Sequence, residues 1–356
     1  MAQLVDSLAN AWDFYLGDGV ADLRHTPSRI IAEGPQRAIH HYTSTRPPRT
    51  DRSPVLFVPP LAAPATCFDL RRGCSLAEHM TALGYPTYLV DYGPISFEDR
   101  ALGLEHWIED VLPSAIRAVS EDAGGALVHT VAWSLGGVMT PLAAAADPKL
   151  PLASMSLIAS PFDFERVRLL GPIRALARLT RGAFVTSLYR MLGGAPAPLV
   201  SLGFQATAIQ RLIGRPLFLA RNLDDRETLA HVQAVDDYMA NMFAYPGRTF
   251  GQLYHRFFFV NDLVDGRLEL TDHEIDLAEC RIPVLAVAST EDLLAPADAC
   301  FAVEGLLPNS PVQLETATGG HLGVLTGRSA RNTTWAYVDQ FIAHNEPRTR
   351  VADTLL

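Results

Sequence analysis

Six short runs rich in Val, Leu, Ile and Ala recur along this 356-residue chain, at 55–58, 87–91, 127–132, 154–159, 284–288 and 312–315. Between them lie stretches with helical apolar spacing, at 75–83, 104–120, 137–146 and 329–344. A strand that is apolar on both faces has to be covered on both faces. Short apolar strands that alternate with helices therefore predict an α/β architecture, a mostly parallel sheet with helices on either side.

One stretch departs from this rhythm. Residues 162–275 show no clear strand–helix alternation; they carry Pro-Gly punctuation at Gly171-Pro172, Gly193-Gly194, Pro196 and Pro198, and several apolar helical patches. The segment lies between two core strands, so it is expected to be a helical cap inserted over a core of residues 1–161 and 276–356, with an N-terminal helix and hairpin counted in the core. Such lids often wall a substrate pocket. The chain is 48% hydrophobic with a mean hydropathy of +0.11. A large buried sheet plus an apolar pocket under the cap would account for that balance.

The formal net charge of −10 argues against a nucleic-acid or anionic-membrane partner, since both require basic surface. Residues 1–20 carry Asp6, Asp13 and Asp18 and no basic leader, while Leu4, Leu8, Trp12 and Tyr15 have amphipathic helical spacing. No uncharged apolar run is long enough for a membrane span. Cys67, Cys74, Cys280 and Cys300 lack C-x-x-C spacing, so reduced thiols in a cytoplasmic protein are expected, with no zinc site. No phosphate-loop, H-E-x-x-H or EF-hand pattern is found, and no metal or cofactor is expected.

The sharpest local signal is Ala132-Trp133-Ser134-Leu135-Gly136-Gly137, which follows an expected strand and opens an expected helix. This is the context of a nucleophile elbow, with Ala in the first small position of G-x-S-x-G. Small residues are required because the serine sits in a strained strand-to-helix turn. In such folds the chain order is serine, acid, histidine. Asp292 lies just past the strand at 284–288, and His321 lies past the strand at 312–315, after Gly319-Gly320. Ligands of open α/β sheets bind beyond the carboxyl ends of the strands, where all three fall. Glu291 and Asp298 are alternative acids, better read as surface charges. His40, His41, His106 and His129 sit in no motif with a mechanism. An oxyanion hole would use the N–H of Leu135 and a second donor after the first core strand, at Leu61 or Ala62, since Pro59 and Pro60 have no N–H.

These motifs resemble, in order, those of the poly(hydroxyalkanoate) synthases and their α/β-hydrolase relatives, from about Thr26 to Ile342. Phe68-Asp69-Leu70, Ser75-Leu76, Gly84 and Val90-Asp91-Tyr92-Gly93-Pro94 follow the family's D-L…S-L…G…D-W-G-x-P progression, with Tyr92 at the usual Trp. Ser160-Pro161-Phe162-Asp163-Phe164 is similar to its T-P-x-D-F, and Asp292-Leu293-Leu294-Ala295-Pro296 and Gly320-His321-Leu322-Gly323 to its acid and histidine segments. The resemblance implies an α/β-hydrolase fold with acid Asp292 and base His321, an acyl-CoA substrate and a homodimer joined through cap regions. The synthases carry Cys in a G-x-C-x-G box; the matching residue here is Ser134. A serine ester is a poorer acyl donor than a thioester. The expected activity is therefore hydrolysis of acyl esters or thioesters by Ser134, His321 and Asp292 acting on a hydrophobic acyl substrate. The alternatives are a synthase-like acyltransferase using hydroxyacyl-CoA, and a non-catalytic lipid-binding relative.

Overall fold

The structure, a computed structural model, describes residues 2–43, 49, 51–180, 183–206, 209–270 and 272–347. Eight strands form its main sheet: β1 (Ser28–Gly34), β2 (Arg37–Tyr42), β3 (Val55–Val58), β4 (Thr87–Asp91), β5 (Val128–Trp133), β6 (Leu152–Ile158), β7 (Val284–Ala288) and β8 (Val312–Thr316). Their order is β1-β2-β4-β3-β5-β6-β7-β8. The β1–β2 hairpin joins β4 antiparallel; every other pairing is parallel.

Alternation along each strand feeds two cores. Leu56, Val58, Val90, Ala132, Met155 and Ala286 face α3 (Leu112–Asp122) and α4 (Leu135–Ala146) on one side. Val55, Phe57, Leu89, Val131, Leu285 and Val287 face α2 (Leu76–Ala82) and the Thr334–His344 helix on the other. Residues of β3, β5 and β7 are buried throughout; β3 and β7 read as continuous apolar runs for that reason, while β5 also buries His129 and Thr130. The edge strand β8 is only partly buried.

Two helices differ from the pattern reading. The helix expected over 104–120 opens with a π-helical stretch, His106–Val111, before α3. Pro113 has no N–H for the carbonyl one turn back, and the wider turn accommodates it. The helix expected from 329 begins at Thr334, after a short 3-10 turn at Ala330–Asn332.

β6 and β7 pair directly although about 125 residues separate them. The inserted chain holds helices Gly171–Thr180 (α5), Ala183–Leu192 (α6), Ala197–Ala206 (α7), Ile209–Arg221 (α8) and Arg226–Ala240 (α9). It also holds two small ladders, Gly194–Ala195 with Tyr245–Pro246 and Arg267–Glu269 with Glu274–Asp276, which periodicity did not reveal. Its last part belongs to the core: Leu253, Phe257, Leu268 and Ile275 share a cluster with Val138 and Leu142 of α4. The N-terminal helix α1 (Ala2–Tyr15), expected with the core, lies instead on α9. Asn10 Nδ2 donates to the Leu223 carbonyl at 2.9 Å, and Arg226 pairs with Asp13 at 2.7 Å.

Candidate active site

β5 ends at Trp133 and α4 begins at Leu135, so Ser134 forms the whole turn between strand and helix. Its backbone sits at φ 55°, ψ −125°, a region that L-residues rarely adopt and that costs on the order of 1–3 kcal/mol. The neighbouring small residues explain how the turn fits. A Cβ on Gly136 would lie 2.5 Å from the Val58 carbonyl oxygen and 2.6 Å from that of Pro59. One on Gly137 would run into the Ser160 side chain. The helix N-terminus is thereby pressed against the end of β3 and the loop that follows it.

The structure brings Ser134, His321 and Asp292 together. His321 Nε2 lies 2.8 Å from Ser134 Oγ, and His321 Nδ1 lies 2.8 Å from Asp292 Oδ2. With a neutral ring, both contacts are satisfied when Nδ1–H donates to the carboxylate and Nε2 accepts from the serine hydroxyl. The Asp292 side chain is fully buried and that of His321 is 10% exposed. Burial alone would raise the Asp292 carboxyl. The adjacent His321 and the N–H groups of Ala295 and Leu294 outweigh it and hold the group below its ordinary value. Those N–H groups donate to Oδ1 at 3.0 and 2.8 Å, leaving Oδ2 for the histidine. Glu291, the neighbouring acid, is exposed.

Trp133 is a contributor that the motif left as an arbitrary position. Its Nε1–H donates to the His321 carbonyl at 3.2 Å, and its ring centroid lies 5.0 Å from the imidazole. The only sequence signal was a bulky aromatic beside the serine.

Leu135 is the first residue of α4, so its N–H has no carbonyl one turn back. Leu61 and Ala62 lie in the buried turn after β3, with Ala62 at φ 62°. The Ala62 carbonyl accepts from the Phe243 N–H at 2.9 Å, which fastens the inserted segment to this turn. Between them lies a cavity of only about 10 Å³, lined by Pro59, Leu61, Ala62, Trp107, Phe243 and Pro246. A larger cavity, of about 450 Å³, is lined by Arg100, Tyr189, Arg248, Gln252, His255 and Arg256, so the space that the segment encloses there is polar. Among the described residues, no group of three or more His, Cys, Asp or Glu side chains could hold a metal ion.

No family model matches the chain. Relatives do. The poly(3-hydroxyalkanoate) polymerase subunit PhaC of Allochromatium vinosum is 24% identical over 331 residues, covering 90% of this chain and 91% of that protein. The subunit from Thiocystis violacea is 22% identical over 339 residues, covering 94% and 93%. That from Haloferax mediterranei is 20% identical over 343 residues, covering 96% and 69%. Among solved structures, a proline iminopeptidase from Mycobacterium smegmatis superposes with a TM-score of 0.50 at 15% identity, covering 90% of this chain and 99% of that one. Rv0554 from Mycobacterium tuberculosis gives 0.51 at 18%, covering 89% and 99%. Over most of its length the chain is similar to the poly(3-hydroxyalkanoate) polymerase subunits, and its fold is that of the α/β-hydrolases. It is an enzyme of that fold. The described residues include no helix long and apolar enough to cross a membrane.

Proposed function

We propose that this enzyme transfers acyl groups through a Ser134 acyl-enzyme and that its main reaction is hydrolysis of acyl esters or thioesters. One observation carries the proposal: the unbroken Ser134–His321–Asp292 hydrogen-bond chain, built on a serine with strained backbone. Ser134 Oγ attacks the acyl carbonyl while His321 Nε2 takes the hydroxyl proton. The N–H of Leu135, with that of Leu61 or Ala62, receives the oxyanion. His321 then protonates the departing alkoxide or thiolate. Asp292 holds the imidazole tautomer and stabilises its cation. Water repeats the sequence with His321 as base and releases the acid.

The cysteines offer no rival nucleophile. All four are buried and unpaired. Burial pushes the Cys67, Cys74 and Cys300 thiols up, away from the thiolate that reacts. Unpaired thiols also fit a reducing, cytoplasmic setting. The segment 162–275 serves as a cap for a hydrophobic acyl substrate, fastened to the turn after β3 through Phe243.

Similarity to the PhaC subunits over most of the chain favours a second role, transfer of hydroxyacyl groups from CoA to a hydroxyl. Two experiments decide between these. Ser134→Ala should abolish turnover of short aryl esters, and retained activity would remove Ser134 from the mechanism. Incubation with a hydroxyacyl-CoA should release CoA and free acid; release with oligomer would establish the acyltransferase instead.

A further inference from the structure

The net charge of −10 conceals an uneven distribution. Residues 166–223 contain nine arginines and no Asp, Glu, Lys or His. The rest of the chain holds 20 basic and 39 acidic residues. The basic stretch spans α5 to α8, of which α5, α6 and α8 are strongly amphipathic.

The same helices expose apolar side chains. Leu179 is 83% exposed, Met191 76% and Leu202 62%, with Leu199, Leu217 and Phe218 each about half exposed. Two contacts hold α7 and α8 on α9. Arg215 of α8 pairs with Asp236 of α9, and Ser201 of α7 donates to the Met239 carbonyl at 2.5 Å.

We propose that α5 to α8 dock through their exposed side chains on an anionic lipid surface. Arginines that alternate in sequence with exposed Leu, Met and Phe side chains suit the boundary between phosphate headgroups and acyl chains. The absence of any acid across 58 residues removes the repulsion that the rest of the chain would meet there. A nucleic acid would use the arginines but would leave the leucines in water. A second copy of the chain would have to set arginine against arginine. The overall charge averages two regions of opposite sign. The proposal stands apart from the Ser134 chemistry.

Flotation of the full chain with vesicles tests it, using phosphatidylcholine alone and equal parts phosphatidylcholine and phosphatidylglycerol. Binding is expected on the anionic vesicles, at least about tenfold weaker on the neutral ones, and weakened by salt. Arg168 and Arg221 are exposed. Replacing both (Arg168→Gln, Arg221→Gln) should weaken binding by roughly tenfold or more. The pair Leu179→Ser and Met191→Ser should weaken it on both kinds of vesicle. Unchanged turnover of a soluble ester by these variants shows that they are folded. Equal binding by wild type and variants would overturn the proposal. So would absence of vesicle binding, whether accompanied by RNA retention or by self-association that the Leu179→Ser and Met191→Ser pair abolishes.

Discussion

The sheet and the inserted helices treat apolar side chains in opposite ways. β3, β5 and β7 bury every residue, and Phe57 stacks flat on Phe68 with ring centroids 4.7 Å apart. α5 to α8 leave Leu179, Met191, Leu202 and Leu217 in solvent. Charge divides the same way, with an acidic body and an arginine-only stretch at 166–223. A core is fixed by packing against itself, whereas an exposed side chain contributes little to the fold. Substitutions in the two regions should therefore differ in kind.

The largest effect is expected at the buried end of the triad. Asp292→Asn should lower kcat/KM by about 10⁴-fold, because the amide favours the wrong imidazole tautomer. A steady-state ester assay reads this; a loss below tenfold would mean Asp292 does not orient His321. The same variant carries a pH signature. The folded carboxyl is held below its ordinary value of 3.8, so it stabilises the fold above that value. That stabilisation is lost as pH falls through the depressed folded value. Melting temperatures of the Asn variant should thus fall less steeply than wild type between about pH 5 and about pH 3.

Next comes the sheet. Phe57→Ala should destabilise the protein by about 3–5 kcal/mol in denaturant titration, as expected for a fully buried ring that leaves a cavity. Trp133→Phe keeps the aromatic ring but removes the hydrogen bond to the His321 carbonyl. The expected loss is roughly fivefold to tenfold in kcat/KM with little change in stability, in line with one hydrogen bond of about 1 kcal/mol. The smallest effect belongs to the inserted helices. Leu179→Ser should shift unfolding by no more than about 0.5 kcal/mol, and a large loss there would erase the distinction between the two regions.

The same distinction decides what could be read before the fold was known. The bounds of β3, β4 and β7 follow from composition at 55–58, 87–91 and 284–288, because strands buried on both faces leave an unbroken apolar run. Ser134, Asp292 and His321 were legible because chain order and strand ends place them together. The inserted segment was legible as a helical interruption of the strand–helix rhythm, but its internal contacts were not. The two-residue pairing of Gly194–Ala195 with Tyr245–Pro246 is too short to leave a period. The contact of α1 with α9 joins residues more than two hundred positions apart through Asn10 and Asp13, which look like ordinary surface residues. Trp133 could not be recognised either, since its partner is a backbone carbonyl and carbonyls carry no sequence signature.

The central claim is that Ser134 is acylated during turnover. Rapid acid quenching of the enzyme with a slowly hydrolysed acyl ester, followed by peptide mass spectrometry, tests it directly. The account predicts the mass of the acyl group on the peptide containing Ser134, accumulating in a burst and absent from Ser134→Ala. Turnover with an unmodified Ser134 peptide, or an acyl group carried elsewhere, would contradict it.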